Sequence, residues 1–181
     1  MRDMVVTEKI TLDGVIEATD GWFAPPDMEA ALLEQRQRAD ASLVERVTFE
    51  KMRGYWPLQQ DDPTGTADYL DAVAKYVVSS TLDEPGWDNA HVLSRPLAEE
   101  IVAVKSALGR NILTTGIISL VHQLLGAGLV DEVRLFDYPI TLGTDSTLVA
   151  GESTSADLDL FEAPPVACGV VLLRYRVGSQ R

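Results

Sequence analysis

The chain has 181 residues, 46% of them hydrophobic, and a formal net charge of -13. This composition predicts one soluble globular domain, and the acidic surface excludes general nucleic-acid binding because it repels phosphate backbones. The apolar runs are too short to span a membrane and the N-terminus shows no signal-peptide core, so we expect a cytoplasmic protein without a membrane partner.

The first third of the chain alternates between strand and helix patterns. The predicted elements are a strand at 4–10 ending in a turn at 12–14, an irregular loop at 21–26, a helix with Asp27 as its N-cap, a strand beginning at Leu43, and a helix from Thr48 to near Gly54. A polar loop is expected at 57–65.

The remainder continues the alternation and then becomes mostly strand. Strands are predicted at 75–80, 91–93, 111–115, 133–136 and 170–175, helices at 97–108 and 118–125, and a turn at 142–143; Gly109 is the expected stop of the first helix, and Gly126 or Gly128 that of the second. This order predicts a mainly parallel sheet covered by helices, with antiparallel strands added at the end. We expect a single domain over 1–181.

A strand that runs directly into a helix through Gly116 is a candidate phosphate site. Such a turn exposes the first N–H groups of the helix and the positive end of its dipole. The net charge of -13 does not exclude a local positive site for a small anionic ligand. Glycine before a helix is also common as a purely structural feature, so both interpretations stay open.

Other candidate anion contacts also have plain structural alternatives. Arg46 can reach an anion next to a capping Thr48, or it can be a solvated side chain beside an ordinary N-cap. Ser79 and Ser80 lie at the end of a predicted strand and can donate to a phosphate or simply form a turn. Asp27 is either a helix cap or a buried carboxylate that holds a heterocycle.

Metal and hydrolase chemistry lack their usual patterns. His91 and His122 are far apart in sequence without a second ligand at helical spacing, and Cys168 is the single cysteine, so we expect no metal site and no disulfide. His122 is interpreted as a helix-surface or partly buried residue. Gly-x-Ser-x-Gly and Gly-x-Gly-x-x-Gly motifs are absent from the sequence.

Six segments, taken in order, are distinctive: 11–16 (TLDGVI), 43–50 (LVERVTFE), 75–82 (KYVVSSTL), the turn at Gly116, 124–132 (LLGAGLVDE) and 139–143 (PITLG). Together they resemble the dihydrofolate-reductase-like family, in particular the reductase domain of bacterial riboflavin biosynthesis and its stand-alone relatives. The segment at 124–132 is the most specific of them. The resemblance covers nearly the whole chain.

The resemblance implies an α/β three-layer fold with a mixed, mostly parallel eight-stranded sheet flanked by helices. It also implies an NADPH-dependent reductase, often a homodimer, similar to 5-amino-6-(5-phosphoribosylamino)uracil reductase and acting on a pyrimidine- or pteridine-like heterocycle. No catalytic residue is identified. The implied cofactor-binding residues are Gly14, Arg46, Thr48, Ser79, Ser80, Gly116, Ile117 and Ile118, and the implied substrate-binding residues are Asp13 and Asp27.

Three positions depart from the family pattern where the cofactor is expected. Glu45 stands where Gly is usual, Ser80 where Arg is usual, and Ile117 where Gly, Ser or Ala is usual. Each lost charged contact costs about 1.5–3 kcal/mol. We therefore expect a weakened NADPH site with little preference over NADH.

Three hypotheses follow from this pattern. The first is an NADPH-dependent reductase of the riboflavin type. The second is a family member with a degraded cofactor site that serves as a ligand-binding or interaction protein, and the third is a reductase that uses NADH or a flavin. The segment at 124–132 fits the riboflavin branch better than true dihydrofolate reductase, and the zinc-binding His/Cys/Cys set of a deaminase is missing.

Overall fold

The computed structural model describes residues 1–16, 25–59, 61–115, 118–143, 147–148 and 156–178. The strands are β1 Met4–Thr11, β2 Ala39–Glu45, β3 Ala74–Val78, β4 Ala90–Leu93, β5 Asn111–Thr114, β6 Glu132–Tyr138, β7 Leu158–Glu162 and β8 Val171–Val177. The α-helices are α1 Pro26–Gln37, α2 Arg46–Tyr55, α3 Thr66–Ala72, α4 Leu97–Ser106 and α5 Ile118–Gly126, and short 3-10 helices lie at Trp56–Leu58 and Ala167–Gly169.

The strands form one eight-stranded sheet in the order β4-β3-β2-β5-β1-β6-β8-β7. All neighbours from β4 to β6 are parallel, whereas β8 pairs antiparallel with both β6 and β7. The predicted mixed sheet with terminal antiparallel strands is therefore confirmed. Because parallel strands end at the same edge, the segments that follow β2, β3, β4 and β5 meet there.

Alternate side chains of β1 pack into two apolar layers on opposite faces of the sheet. Met4 and Val6 belong to the main core cluster, which includes Ile101 of α4 and Leu124 of α5. Val5 points to the other face, where it packs in a cluster with the ring of Tyr69 from α3. Helices therefore cover both faces of the sheet.

The segment at 124–132 closes α5 with a Schellman motif. The Leu129 N–H donates to the Leu124 carbonyl and the Gly128 N–H to the Leu125 carbonyl, both at 3.0 Å. Gly128 has φ +64°, the left-handed conformation that glycine adopts without strain. The predicted stop is confirmed at Gly128, whereas Gly126 is the last helical residue.

Asp131, in the same segment, connects three elements. Its Oδ2 accepts a hydrogen bond from the Met4 N–H at 2.7 Å and also binds the buried Nζ of Lys105 on α4. The start of β1, the end of α4 and the approach to β6 are thereby held together. Together with the turn at Gly128, these contacts account for Gly128 and Asp131 on structural grounds.

Several predicted boundaries were wrong. Pro25 is the N-cap of α1, so Asp27 lies inside the first turn, and Glu45 is the N-cap of α2, so Thr48 is its third residue. β2 begins at Ala39 instead of Leu43, because its first residues are small or polar and lack the expected β-branched pattern.

The stop of α4 was also misplaced. The helix ends at Ser106 with Ala107 as its C-cap, before Gly109. Gly109 instead permits a close approach, since an added Cβ would lie 2.9 Å from side-chain atoms of Arg2 and Asp40.

Candidate functional site

A cleft of about 330 Å³ opens between the sheet and helices α1, α2 and α3; we call it the central cleft. Its lining includes Thr7, Met28, Arg36, Tyr69, Thr114 and Phe136. Strands β1, β2, β5 and β6 form its floor, and the three helices form its walls. A volume of this size suits a small heterocyclic ligand.

Helix α1 presents one face to the central cleft. Met28, Leu32, Gln35 and Arg36 all line it, and their spacing of four, three and one residues keeps them on a single side of the helix. Asp27 is exposed and is not part of this lining. The interpretation of Asp27 as a buried carboxylate is therefore wrong, because Met28 occupies the inward position, and a role of Asp27 in substrate binding stays a prediction.

A second cleft of about 530 Å³ lies at the carboxyl ends of β2, β3 and β4; we call it the strand-end cleft. Its lining includes Glu45, Arg46, Ser79, Ser80, Arg95 and Leu97. The structure thus brings together Arg46, Ser79 and Ser80, which sequence analysis had selected separately. Thr48 is not among the residues that line it.

Arg46 begins α2 at one side of the strand-end cleft. Its Nη1 donates to Glu50 Oε2 at 2.9 Å, one helical turn further on. The first turn of α2 carries no acidic side chain, and the Glu45 side chain makes no capping hydrogen bond. The positive end of this helix dipole and a guanidinium therefore lie together, opposed by the Glu45 carboxylate.

Ser79 and Ser80 follow β3 on the floor of the strand-end cleft. The Ser79 Oγ accepts hydrogen bonds from the N–H groups of Thr81 and Leu82 at 3.1 and 3.0 Å. The turn-forming interpretation of Ser79 therefore describes the structure. A hydroxyl that accepts in this way keeps its own proton for donation to a ligand.

Arg95 is the residue of this cleft that sequence analysis missed. It follows β4, and its Nε and Nη2 donate to the two oxygens of Glu100 at 3.0 and 2.9 Å. The side chain is 64% exposed, and this bidentate contact uses only part of its five donors. Its position two residues after a predicted strand was the available signal, since parallel strands end at one edge.

Asp13 holds two of the distinctive segments together. One carboxylate oxygen accepts the N–H groups of Leu142 and Gly143 at 3.0 and 2.7 Å, and the other accepts the Thr11 hydroxyl. The hydrogen bond from Thr11, followed by that from the Gly143 N–H, lowers the pKa of Asp13. Asp13 does not line either cleft, so the structure supplies a loop-locking contact, and its substrate role stays a prediction.

Gly14 adopts the left-handed conformation that the turn after β1 requires, with φ +84°. Its carbonyl accepts the Leu148 N–H at 2.9 Å. The His122 Nε2 lies 2.6 Å from the Leu148 carbonyl, in agreement with the structural interpretation of this half-buried histidine. This corner therefore connects the 147–148 segment to both the turn after β1 and α5.

The candidate phosphate site at the Gly116 turn can be described only in part. Gly116 and Ile117 lie outside the described residues. Thr114 and Thr115, which precede them, line the central cleft, while Ile118 begins α5 and packs on the main core. Within the described ranges there is no group of three or more metal-binding side chains and no helix long and apolar enough to cross a membrane.

Comparison with known proteins identifies the family. Residues 2–172 match the model of the RibD C-terminal domain. The chain belongs to this family. Among curated proteins, the uncharacterized protein YyaP of Bacillus subtilis strain 168 is 29% identical over 181 residues, which covers 96% of this chain and 94% of YyaP.

Solved structures agree on the fold of this RibD C-terminal domain protein. A putative riboflavin biosynthesis protein from Shewanella sp. PV-4 superposes with a TM-score of 0.74 at 19% identity, covering 97% of this chain and 99% of its own. Dihydrofolate reductase from Enterococcus faecalis, solved with NADP(H), gives a TM-score of 0.64 at 15% identity, with coverage of 98% and 97%. The predicted dihydrofolate-reductase-like fold and family resemblance are confirmed.

Proposed function

We propose that this RibD C-terminal domain protein is a reductase that binds NADPH along the strand-end cleft and reduces a pyrimidine- or pteridine-like heterocycle in the central cleft. The observation that carries the proposal is the convergence of Arg46, Arg95, Ser79 and Ser80 at one sheet edge. Two guanidiniums, two hydroxyls and a helix N-terminus form a donor set that fits the phosphates of a dinucleotide.

The two clefts are adjacent, as a cofactor and its substrate require. Val44 lines the central cleft, and the next residue, Glu45, lines the strand-end cleft. A dinucleotide along this edge would place its phosphates near Arg46 and its nicotinamide toward Thr115. The bound cofactor would supply a hydride, and the chain would contribute orientation and exclusion of water through Met28, Leu32 and Phe136.

Arg95 changes the expected choice between NADPH and NADH. Ser80 lacks the charged fork that the family usually provides, but Arg95 lines the same cleft and offers such a fork from the segment that follows β4. We therefore assign the contact with the adenosine 2′-phosphate to Arg95, with Ser80 as a hydroxyl donor beside it. Glu45 still opposes the anion, so the affinity is expected to be moderate.

The test is a binding titration of NADPH and NADH, by calorimetry, on the wild type and on Arg95→Gln. Loss of a charged hydrogen bond worth about 1.5–3 kcal/mol should weaken NADPH binding about ten-fold or more and leave NADH binding unchanged. Arg38→Gln is the matched control, because Arg38 is also exposed and ion-paired but lies at the end of α1. Absence of binding by either dinucleotide to the wild type would contradict the reductase.

Glu45 favours a second candidate, a ligand-binding protein whose cofactor site has degraded. Its carboxylate lies in the cleft where phosphates would bind. In that case pyrimidines would bind and neither dinucleotide would, and removal of the carboxylate by Glu45→Gly should restore part of the NADPH binding. The homodimer, the cytoplasmic location and a flavin as an alternative cofactor stay predictions.

A further inference from the structure

A chain of hydrogen bonds connects the antiparallel part of the sheet with helix α1. Glu132 Oε1 on β6 accepts the Nε of Arg174 at 2.9 Å and the Nε of Arg134 at 2.6 Å. Arg134 in turn donates from its Nη1 to the Gln35 Oε1 at 2.9 Å. The Arg134 side chain and Gln35 are each only 7% exposed, so this last contact is shielded from water.

The contact with Arg134 determines the orientation of the Gln35 side-chain amide. A guanidinium carries donors and no acceptor, so only the amide oxygen can face it. Turning the amide over would place its NH2 group against the buried guanidinium and leave donors on both sides without an acceptor. Gln35 therefore keeps its Oε1 toward Arg134, and its Nε2 is left for another partner.

Gln35 also lines the central cleft. None of the described residues accepts a hydrogen bond from its Nε2. An amide NH2 group carries two donors, and a buried donor is normally paired. The Gln35 side chain thus connects the buried Arg134 on one side with the ligand space of the cleft on the other.

Thr7 provides a second polar atom beside the same arginine. In the parallel pairing of β1 with β6, Thr7 lies opposite Arg134. Thr7 is 4% exposed and lines the central cleft, yet its Oγ1 has no hydrogen-bond partner in the described part of the chain. Such an atom indicates a place where a ligand supplies the partner. A hydroxyl can donate or accept, so Gln35 decides which ligand group is favoured here.

The wall that α1 presents to the central cleft contains no carboxylate. Its lining residues in the described ranges are Met28, Leu32, Gln35 and Arg36. The polar groups of this wall therefore act as donors, because the one amide oxygen is already bound to Arg134. A ligand that presents an acceptor to α1 can be satisfied, whereas one that presents an amino group would leave donors unpaired on both sides.

We propose that Gln35 is a specificity-determining residue of the central cleft, whose NH2 group, oriented by Arg134, donates to a ring carbonyl oxygen and discriminates against a ring amino group. Arg134 is a positioning residue, since it acts on the ligand only through Gln35. The inference deepens the proposed function and rests on the central cleft being the substrate site of the reductase.

The experiment compares two bicyclic probes that are both uncharged near neutral pH. Lumazine carries two ring carbonyls, and 2,4-diaminopteridine carries amino groups in their place. Isothermal calorimetry on the wild type should show lumazine binding about five-fold or more tightly, because only the carbonyl oxygen accepts from Gln35. Equal affinities, tighter binding of the diamino probe, or binding of neither probe would overturn the proposal.

Gln35→Glu reverses the polarity of the side chain that faces the ligand. One carboxylate oxygen can still accept from Arg134, and the other replaces the NH2 group with an acceptor. This variant should bind 2,4-diaminopteridine more tightly than lumazine. Equal weakening of both probes would indicate a merely structural role and contradict the proposal. Gln123→Glu is the matched control, because Gln123 is an exposed glutamine of α5 outside the central cleft, and it should keep the wild-type preference.

Arg134→Met tests the positioning step. Without the guanidinium, either end of the Gln35 amide can face the ligand, so the preference for lumazine should fall to about two-fold or less while both probes still bind. A full wild-type preference in this variant would contradict the role of Arg134. Circular dichroism verifies that the variant is folded, and Gln35→Glu decides the proposal if it is not.

Titration of NADPH on the same samples separates this proposal from the reductase. NADPH binding by a wild type that does not discriminate between the two probes would retain the reductase and remove the role of Gln35. A preference that Gln35→Glu reverses, without binding of any nicotinamide dinucleotide, would retain the role of Gln35 and remove the reductase.

Discussion

Lys75 is a charged residue that is fully buried in β3. Its Nζ donates to the carbonyls of Leu70 and Val73, at the C-terminal end of α3, and lies 4.7 Å from the centre of the Trp87 ring. The ammonium thus satisfies carbonyls that a helix end leaves unpaired, where the dipole favours a positive charge. Burial lowers the pKa of Lys75, and the nearby carboxylates of Asp71 and Asp88 oppose that effect.

Replacing Lys75 by Met should destabilise the protein by about 2–3 kcal/mol, because two buried carbonyls lose their donor and the ring loses its cation. The free energy of unfolding in urea, followed by circular dichroism, measures the change. Lys51→Met, at an exposed position of α2, is the control and should change it by less than about 0.5 kcal/mol. An equally stable Lys75→Met protein would contradict this account of the α3 end.

The residues of the two clefts differ in how far sequence could reveal them. Arg46, Ser79 and Ser80 lie at or just after the ends of predicted strands; sequence selected them separately, and only the family resemblance assigned them to one cofactor. The structure brings them together because parallel strands end at one edge of the sheet. Arg36 and Tyr69 could not be brought together from the sequence, because α3 was not predicted. Its approach at 61–65 is rich in Asp, Pro, Thr and Gly and indicates a loop.

At the scale of elements, the loop at 61–65 caps the start of α3. The Asp62 carboxylate accepts the N–H groups of Thr66 and Ala67 at 2.7 and 3.0 Å. Hydrogen bonds, first that from the Ala67 N–H, lower the pKa of Asp62 to about 2. The cap thus comes from a residue that precedes the helix. With only seven residues, α3 is too short for a helical repeat of apolar residues to be recognised in the sequence.

The antiparallel pairing of β6 and β8 is reinforced by a shared carboxylate. Glu132 Oε1 accepts the Nε of Arg134 at 2.6 Å and the Nε of Arg174 at 2.9 Å. Burial alone would raise the pKa of Glu132, but the hydrogen bonds from Arg134 and Arg174 outweigh it and hold the pKa below the ordinary 4.5. The ionised form is therefore favoured in the folded protein.

The stabilisation by Glu132 should depend on pH in a defined direction. A carboxyl whose pKa is lowered by folding contributes above its unfolded pKa of about 4.5, and the contribution is lost as pH falls through the lower folded value. We expect Glu132→Gln to lower the free energy of unfolding by about 2 kcal/mol at pH 7 and by progressively less below pH 4.5. Urea unfolding of wild type and variant across this range provides the measurement.

Glu162→Gln is the control for this prediction. Glu162 contacts the same Arg174 from β7 but is largely exposed, so its loss should have a small effect at every pH. The prediction fails if Glu132→Gln lowers the free energy of unfolding by the same amount at every pH down to the acid transition. Ionisation of Glu132 would then make no contribution to stability.

At the scale of the whole molecule, β1 lies between β5 and β6, with which it pairs in parallel. Its Met4, Val5 and Val6 are fully buried. A fragment of residues 1–110 retains β1–β4 and α1–α4 but lacks both partners of β1. We expect this fragment to show no cooperative thermal transition by circular dichroism, whereas residues 1–178 should keep the wild-type transition. Cooperative unfolding of the shorter fragment would contradict the prediction.

The same arrangement has a consequence for synthesis on the ribosome. Strand β1 is made well before both of its partners, since Met4 lies beside Ile112 and Val5 beside Glu132. Pairing over such a sequence separation is slow, and an apolar strand is left without a neighbour in the meantime. The nascent chain therefore exposes the apolar residues of β1 until β5 and β6 have been made, and the yield of soluble protein in a cell should depend on holdase chaperones that bind this strand early.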